Sequence, residues 1–248
     1  MNVMEKTVAM AEAWWAKHHV HLAPEPAGER SGLVGEQYGG DGGTARPFTL
    51  VAVGDSMVAG CGVDDQAKGL IPDLARGIAD VLERPVRWST HGKLGATMRR
   101  VRYRLLPEVA EKPDLLVLCA GSNDIMAQRS EKEWSADLAA TLDEAAALAD
   151  DIVVYSCGQL YNSPSLGATL RRYLEGRVDA QTAASKRICA GRDVIYLDMT
   201  HEDVKADDAQ FYADDHFHPG EFGYRYMADR SIELLRDHLL DLKARPSR

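Results

Sequence analysis

Positive charge, cysteine and long apolar runs are all scarce in this chain. Lysine and arginine number 29 against 38 aspartates and glutamates, a formal net charge of -9 over 248 residues. A surface that tracks a phosphate backbone needs a basic excess, so this balance argues against a nucleic-acid binder. The densest basic group, Arg99, Arg100, Arg102 and Arg104, falls on an expected helix and reads as a solvated face before it reads as an anion site. The four cysteines, Cys61, Cys119, Cys157 and Cys189, are scattered and form no C-x-x-C pair. That spacing points away from a disulfide framework or a cysteine metal site, and suits buried reduced thiols. No apolar stretch is long enough for a signal peptide or a membrane span, so a cytoplasmic chain with no membrane partner is the expectation.

What the chain does have is 45% apolar residues, enough to bury one sizeable core. Near the start, Met4, Val8, Ala11 and Trp15 recur at helical steps with Trp14 beside them, predicting a helix whose stripe packs on the rest of the protein. Pro24, Pro26 and Gly28, then Gly35, Gly39, Gly40, Gly42 and Gly43, break regular structure after it. Residues 1–46 are therefore expected to be an extension, and residues 47–248 a single main domain. Within that domain five short apolar runs stand out: Phe48 to Val53, Val86 to Ser89, Leu115 to Ala120, Ile152 to Ser156 and Val194 to Leu197. Four are too continuous for half-exposed strands and too short for helices, so they read as buried parallel strands. The second run alternates, which suits an edge. Helical patterns fill the intervals near 68–83, 96–108, 132–149, 165–189 and 220–243. Alternating strands and helices predict an open α/β sheet covered on both faces, with ligands beyond the carboxyl ends of its strands.

Four islands carry the chemistry. Gly54-Asp55-Ser56-Met57 follows the first strand, placing a serine hydroxyl where it could act as a nucleophile or merely cap the next segment. Asn123, in Gly121-Ser122-Asn123-Asp124 after the third strand, could donate its side-chain amide to an oxyanion or organise a turn. Gly95 after the second strand could offer a close backbone N–H, and Gly92 is its rival. His218 lies three residues after Asp215 and just before Pro219 and Gly220, so a carboxylate could hold Nδ1 and leave Nε2 free to deprotonate a serine. Asp214 with His216 is a rival pair, and His216-Phe217-His218 resembles a His-x-His metal pair, but no further ligands at metal spacing accompany it. Asp55, Met57, Leu160 and Tyr161 are the expected walls of a substrate pocket.

Taken together and in this order, the islands closely resemble the SGNH hydrolase superfamily, the GDSL-type lipases and esterases, from about Pro47 to Leu240. Met57 replaces the usual leucine, and Thr90 stands where an asparagine often precedes the Gly95 block. The resemblance implies a three-layer α/β/α sandwich with a five-stranded parallel sheet of flavodoxin-like order 2-1-3-4-5. It implies Ser56 as nucleophile, His218 as general base and then acid, and Asp215 as the orienting carboxylate. It also implies an oxyanion hole made from the Ser56 N–H, the Gly95 N–H and the Asn123 amide. The expected activity is hydrolysis of esters of short to medium acyl groups, on small molecules or acylated sugars, with no metal or other cofactor. Two other classes stay open: a catalytically weak binding module that docks a partner through Trp14 and Trp15, and a metal-dependent phosphoesterase using Asp214, Asp215, His216 and His218.

Overall fold

The computed structural model describes residues 2–39 and 46–245; Gly40, Gly42 and Gly43 of the glycine-rich stretch lie outside the described residues. The elements run α1 (Val3–His19), β1 (Ser31–Val34), β2 (Phe48–Gly54), α2 (Leu70–Leu82), β3 (Val86–Gly92), α3 (Met98–Arg100), β4 (Leu115–Cys119), α4 (Ser122–Met126), α5 (Glu131–Ala145), β5 (Ile152–Tyr155), α6 (Ala168–Ala190), β6 (Ile195–Leu197) and α7 (Glu221–Ala244).

One six-stranded sheet organises them, in the order β1-β3-β2-β4-β5-β6. The five strands from β2 onward are parallel and follow the order 2-1-3-4-5 when counted from β2. Their apolar runs are continuous because each strand feeds two cores. Leu50 and Ala52 of β2, Leu115 and Val117 of β4 and Val153 of β5 pack on one face with α2 and α7. Val51 and Val53, Leu116 and Leu118, and Ile152 and Val154 pack on the other face, where Leu138 and Leu142 of α5 and Ala184 of α6 meet them. With both faces dry, a polar residue has no place in the alternation.

The sixth strand corrects two expectations. β1 forms within the glycine- and proline-rich stretch and pairs antiparallel with β3, Gly32 opposite Trp88, so β3 is not an edge. A β-carbon at Gly32 would come within 2.9 Å of the Trp88 ring, so this strand is specified by its partner's indole as much as by its own residues. The helix expected over 96–108 is also broken. α3 passes into a π turn at Val101–Leu105 and a 3-10 turn at Leu106–Glu108. Pro107 has no N–H to continue an α ladder. Arg99 and Arg102 from this segment pair with Asp137 and Glu144.

α1 forms as expected but presents a different face. Asn2 and Glu5 close a capping box at its start. Met4, Trp14 and Trp15 are 73%, 62% and 51% exposed, while the buried residues are Ala9 and Ala16. The docking partner is the start of α6. α6 opens at Gly167 with no side-chain cap of its own. Glu12 of α1 supplies the acceptor instead, taking the Leu170 N–H at 2.5 Å. A carboxylate at a helix N-terminus meets both an orphan donor and the positive end of the dipole. The small alanines let α1 come close enough for that contact, and the tryptophans instead lie over His18 and His19 on the open side.

Candidate active site

Three loops at the carboxyl edge of the sheet converge. β2 ends at Gly54, and the chain turns through Asp55 and Ser56 into a tight coil closed by the Cys61 N–H donating to the Ser56 carbonyl at 2.9 Å. Beneath the serine, the Asp55 side chain is buried; it accepts the Met57 N–H at 3.0 Å and the Ser122 hydroxyl at 3.1 Å. Asp55 thus ties the loop of Ser56 to the start of α4, which carries Asn123. Burial pushes the Asp55 carboxyl up to about 6, against the opposing pull of those two hydrogen bonds and of His218.

The histidine loop enters α7. Asp215 Oδ1 accepts the N–H groups of Phe217 and His218, each at 2.9 Å. Its Oδ2 accepts the Nδ1–H of His218 at 2.6 Å and the Ala23 N–H at 2.8 Å. Burial alone would raise this carboxyl, but the hydrogen bonds from His218, Ala23 and Phe217 outweigh it and hold Asp215 well below the ordinary carboxylate range. Asp215 is therefore an acceptor on both oxygens, and Nδ1 must be the protonated nitrogen of His218. The other ring nitrogen, Nε2, is buried with no hydrogen-bond partner among the described residues.

Two contacts bring this loop to the serine loop across the molecule. Gly62 backs against the Pro219 carbonyl, where a β-carbon would come to 2.2 Å. The Tyr224 hydroxyl of α7 donates to the Cys61 carbonyl at 2.6 Å. Ser56 and His218 consequently line one cavity of about 70 Å³. The rival pair is not formed: Asp214 and His216 are exposed. Among the described residues, no three His, Cys, Asp or Glu side chains are grouped as a metal site needs.

The third loop carries the glycines. Gly92 stays close to the serine loop, where a β-carbon would strike the Ala59 nitrogen at 2.3 Å, and so it is a packing residue. Gly95 has φ +78° with open space where a β-carbon would be. It is required for its backbone conformation rather than for room. The Asn123 amide donates to the Ala96 carbonyl at 3.0 Å, which brings α4 and this loop together. That bond uses one of the two amide hydrogens of Asn123. None of the hydrogen bonds among the described residues uses the N–H of Ser56 or of Gly95.

Of the expected pocket residues, Met57 and Leu160 line the cavity, joined by Met199, Val204, Phe211 and Met227. Asp55 and Tyr161 do not. Asp55 acts from below through its hydrogen bonds, and the Tyr161 hydroxyl donates to the Thr200 carbonyl at 2.6 Å behind the wall. The four residues from β6 onward were not anticipated, because methionine, valine and phenylalanine scattered over 199–227 read as ordinary core. Gly95 and Asn123 are not on the cavity lining either; they lie beside each other at the loop of Ala96.

Comparison with known proteins bears on the family and the fold. The GDSL-like lipase/acylhydrolase family matches residues 52–226. A GDSL-like esterase of Mycobacterium tuberculosis is 28% identical over 200 residues, covering 77% of this chain. The chain spans 63% of that relative's length. Among solved structures, TesA superposes with a TM-score of 0.62 at 22% identity, covering 78% of this chain and 99% of that one. The acetylxylan esterase Axe2 of Geobacillus stearothermophilus gives a TM-score of 0.56 at 19% identity, covering 80% and 95%. A lipase/acylhydrolase from Enterococcus faecalis gives 0.57 at 19% identity, covering 77% and 96%. These structures share the fold. With the family match extending from β2 into α7, the chain belongs to the GDSL-like lipase/acylhydrolase family, the SGNH hydrolases.

Proposed function

We propose that the protein hydrolyses carboxylic esters of short acyl groups through an acyl-enzyme on Ser56. The observation that carries this reading is the state of His218: Nδ1 is fixed on Asp215 at 2.6 Å, while Nε2 is buried and unpartnered beside the cavity that Ser56 lines. A buried imidazole nitrogen without a partner costs free energy, so such an atom has a use when the serine proton is transferred.

In the reaction, Ser56 Oγ attacks the acyl carbonyl carbon as its proton passes to Nε2 of His218. The charge that develops on the carbonyl oxygen is met by the Ser56 N–H, the Gly95 N–H and the free amide hydrogen of Asn123. His218 returns the proton to the departing alcohol oxygen. A water, deprotonated in turn by Nε2, then attacks the acyl-enzyme, and the acid leaves as Ser56 recovers its proton. Asp215 stays ionised throughout and stabilises the imidazolium. No step calls on a metal or an organic cofactor.

Cavity size supports a short acyl group. About 70 Å³ with an apolar wall is far below the roughly 300–1,000 Å³ of a drug-sized site. The methionines in that wall are flexible, so a few more methylenes are within reach. That a structural neighbour is an acetylxylan esterase is consistent with acetyl transfer to water. Ser56→Ala in the full chain is expected to abolish hydrolysis of p-nitrophenyl acetate and labelling by a fluorophosphonate. Hydrolysis retained by that variant would end the proposal.

A further inference from the structure

The family match begins at residue 52, yet the active-site loops are tied together by residues 23–30. Ala23 donates to Asp215 Oδ2 at 2.8 Å. The Ala27 carbonyl accepts the Gln66 N–H at 2.9 Å, on the connection after the serine loop. The Arg30 carbonyl accepts the Thr90 N–H at 2.8 Å, and the Arg30 guanidinium donates to the Gly92 carbonyl at 3.3 Å. Glu25, whose side chain is 19% exposed, takes the Leu94 N–H on Oε1 at 2.9 Å and pairs with Lys93 and Arg30 at 2.9 and 2.8 Å. One extended strap thus holds the acid of the triad, the connection after Ser56 and the glycine loop.

The contact of Glu25 is placed where it matters for chemistry. Lys93 donates its N–H to the Gly54 carbonyl, Leu94 to Glu25, and Ala96 to the Lys93 carbonyl. Of the four successive amides at 93–96, the Gly95 N–H alone has no acceptor among the described residues. A carboxylate drawn into a mostly buried position carries a desolvation cost that only well-formed hydrogen bonds offset. Here one of those bonds fixes the peptide next to the candidate oxyanion donor.

We propose that Glu25 is a positioning residue for the oxyanion hole: by fixing the Leu94 N–H, it sets the orientation of the Gly95 N–H that receives the developing charge. This inference rests on the serine-esterase reading above. It assigns a part in catalysis to a strap that precedes the residues matched by the family.

Glu25→Gln and Glu25→Asp separate reach from charge. Glutamine loses the charge that pairs with Lys93 and Arg30, but its carbonyl oxygen still reaches the Leu94 N–H. Aspartate keeps the charge and is one methylene too short. With p-nitrophenyl acetate, Glu25→Asp is expected to lower kcat at least about 10-fold, short of the roughly 10²–10³ lost when one oxyanion donor is removed outright, with KM within about threefold of the parent. A boronic acid that mimics the tetrahedral state should bind more weakly by a similar factor. Glu25→Gln should keep kcat within about threefold. Melting curves establish that each variant is folded at the assay temperature. If Glu25→Asp is as active as Glu25→Gln or more so, Glu25 is only an ion-pairing residue and the inference is overturned. Ser56→Ala run alongside keeps the two claims apart. A dead Ser56 variant beside a fully active Glu25→Asp sinks this inference alone, and an active Ser56 variant sinks the esterase reading itself.

Discussion

Asp215 accepts four hydrogen bonds on two oxygens, three of them from backbone N–H groups. The backbone donors fix the carboxylate, and the carboxylate fixes the imidazole, so its charge serves one tautomer of His218. Replacing it by asparagine keeps the shape but allows the amide to present a hydrogen to Nδ1. Asp215→Asn is therefore expected to lower kcat by on the order of 10³–10⁴, as for a triad whose base is held in the wrong tautomer, and to lower the melting temperature as well, because an amide nitrogen in place of Oδ2 cannot accept the Ala23 N–H. Steady-state kinetics with a folding check will read both. At this scale the sequence carried much of the site, because the Asp-x-x-His spacing places both side chains on one turn. Residue type alone could not choose between Gly92 and Gly95, and only the family resemblance pointed to Gly95. That choice depends on a backbone angle at one and a 2.3 Å approach at the other, and neither leaves a mark on residue type.

The elements were legible where each makes its own case. Strands β2, β4 and β5 are continuous apolar runs buried on both faces, and helices α6 and α7 are long enough for their pattern to show. What escaped depended on partners. β1 is four residues that become a strand because Trp88 and β3 receive them. α1 has apolar residues on more than one side, and the buried side was chosen by the needs of α6, which lacks a cap until Glu12 arrives. A consequence is testable. Trp14→Ser is expected to shift the melting temperature by no more than about 2 °C, as surface changes stay within roughly 0.5 kcal/mol. Ala16→Leu pushes into the seam with α6 and should lose about 1–3 kcal/mol by overpacking. Thermal unfolding of the two variants side by side decides which face docks.

Across the whole molecule the buried carboxylates set a pH response. Burial raises Asp55 and Asp124 to about 6, against the opposing hydrogen bonds from Met57 and Ser122 on one and Met98 on the other. Between the ordinary aspartate value of 3.8 and about 6, the folded chain holds protons at these sites that the unfolded chain has released. Their contribution to stability therefore falls as pH rises through that window. Asp215 works in the opposite direction. Its folded pKa is depressed, so its contribution is present above the unfolded value and is lost as pH falls toward the folded one. Asp55→Asn removes one of the two raised groups. The melting temperature of that variant minus that of the parent is expected to be larger at about pH 7 than at about pH 4.5. Equal differences at both values would show that Asp55 does not titrate in that window.

The bond from Ala23 to Asp215 joins residues 192 positions apart. At a synthesis rate of about 5–20 residues per second, the first partner is made roughly 10–40 s before the second. Through that interval Ala23 has no carboxylate to meet, although the strap's other partners at 66 and 90–94 are already made, and on the proposed mechanism the nucleophile has no base. On that mechanism a nascent chain arrested before residue 218 is expected not to hydrolyse an ester. Ester cleavage on the proposed mechanism is thus gained only after the histidine loop has followed every other loop of the site.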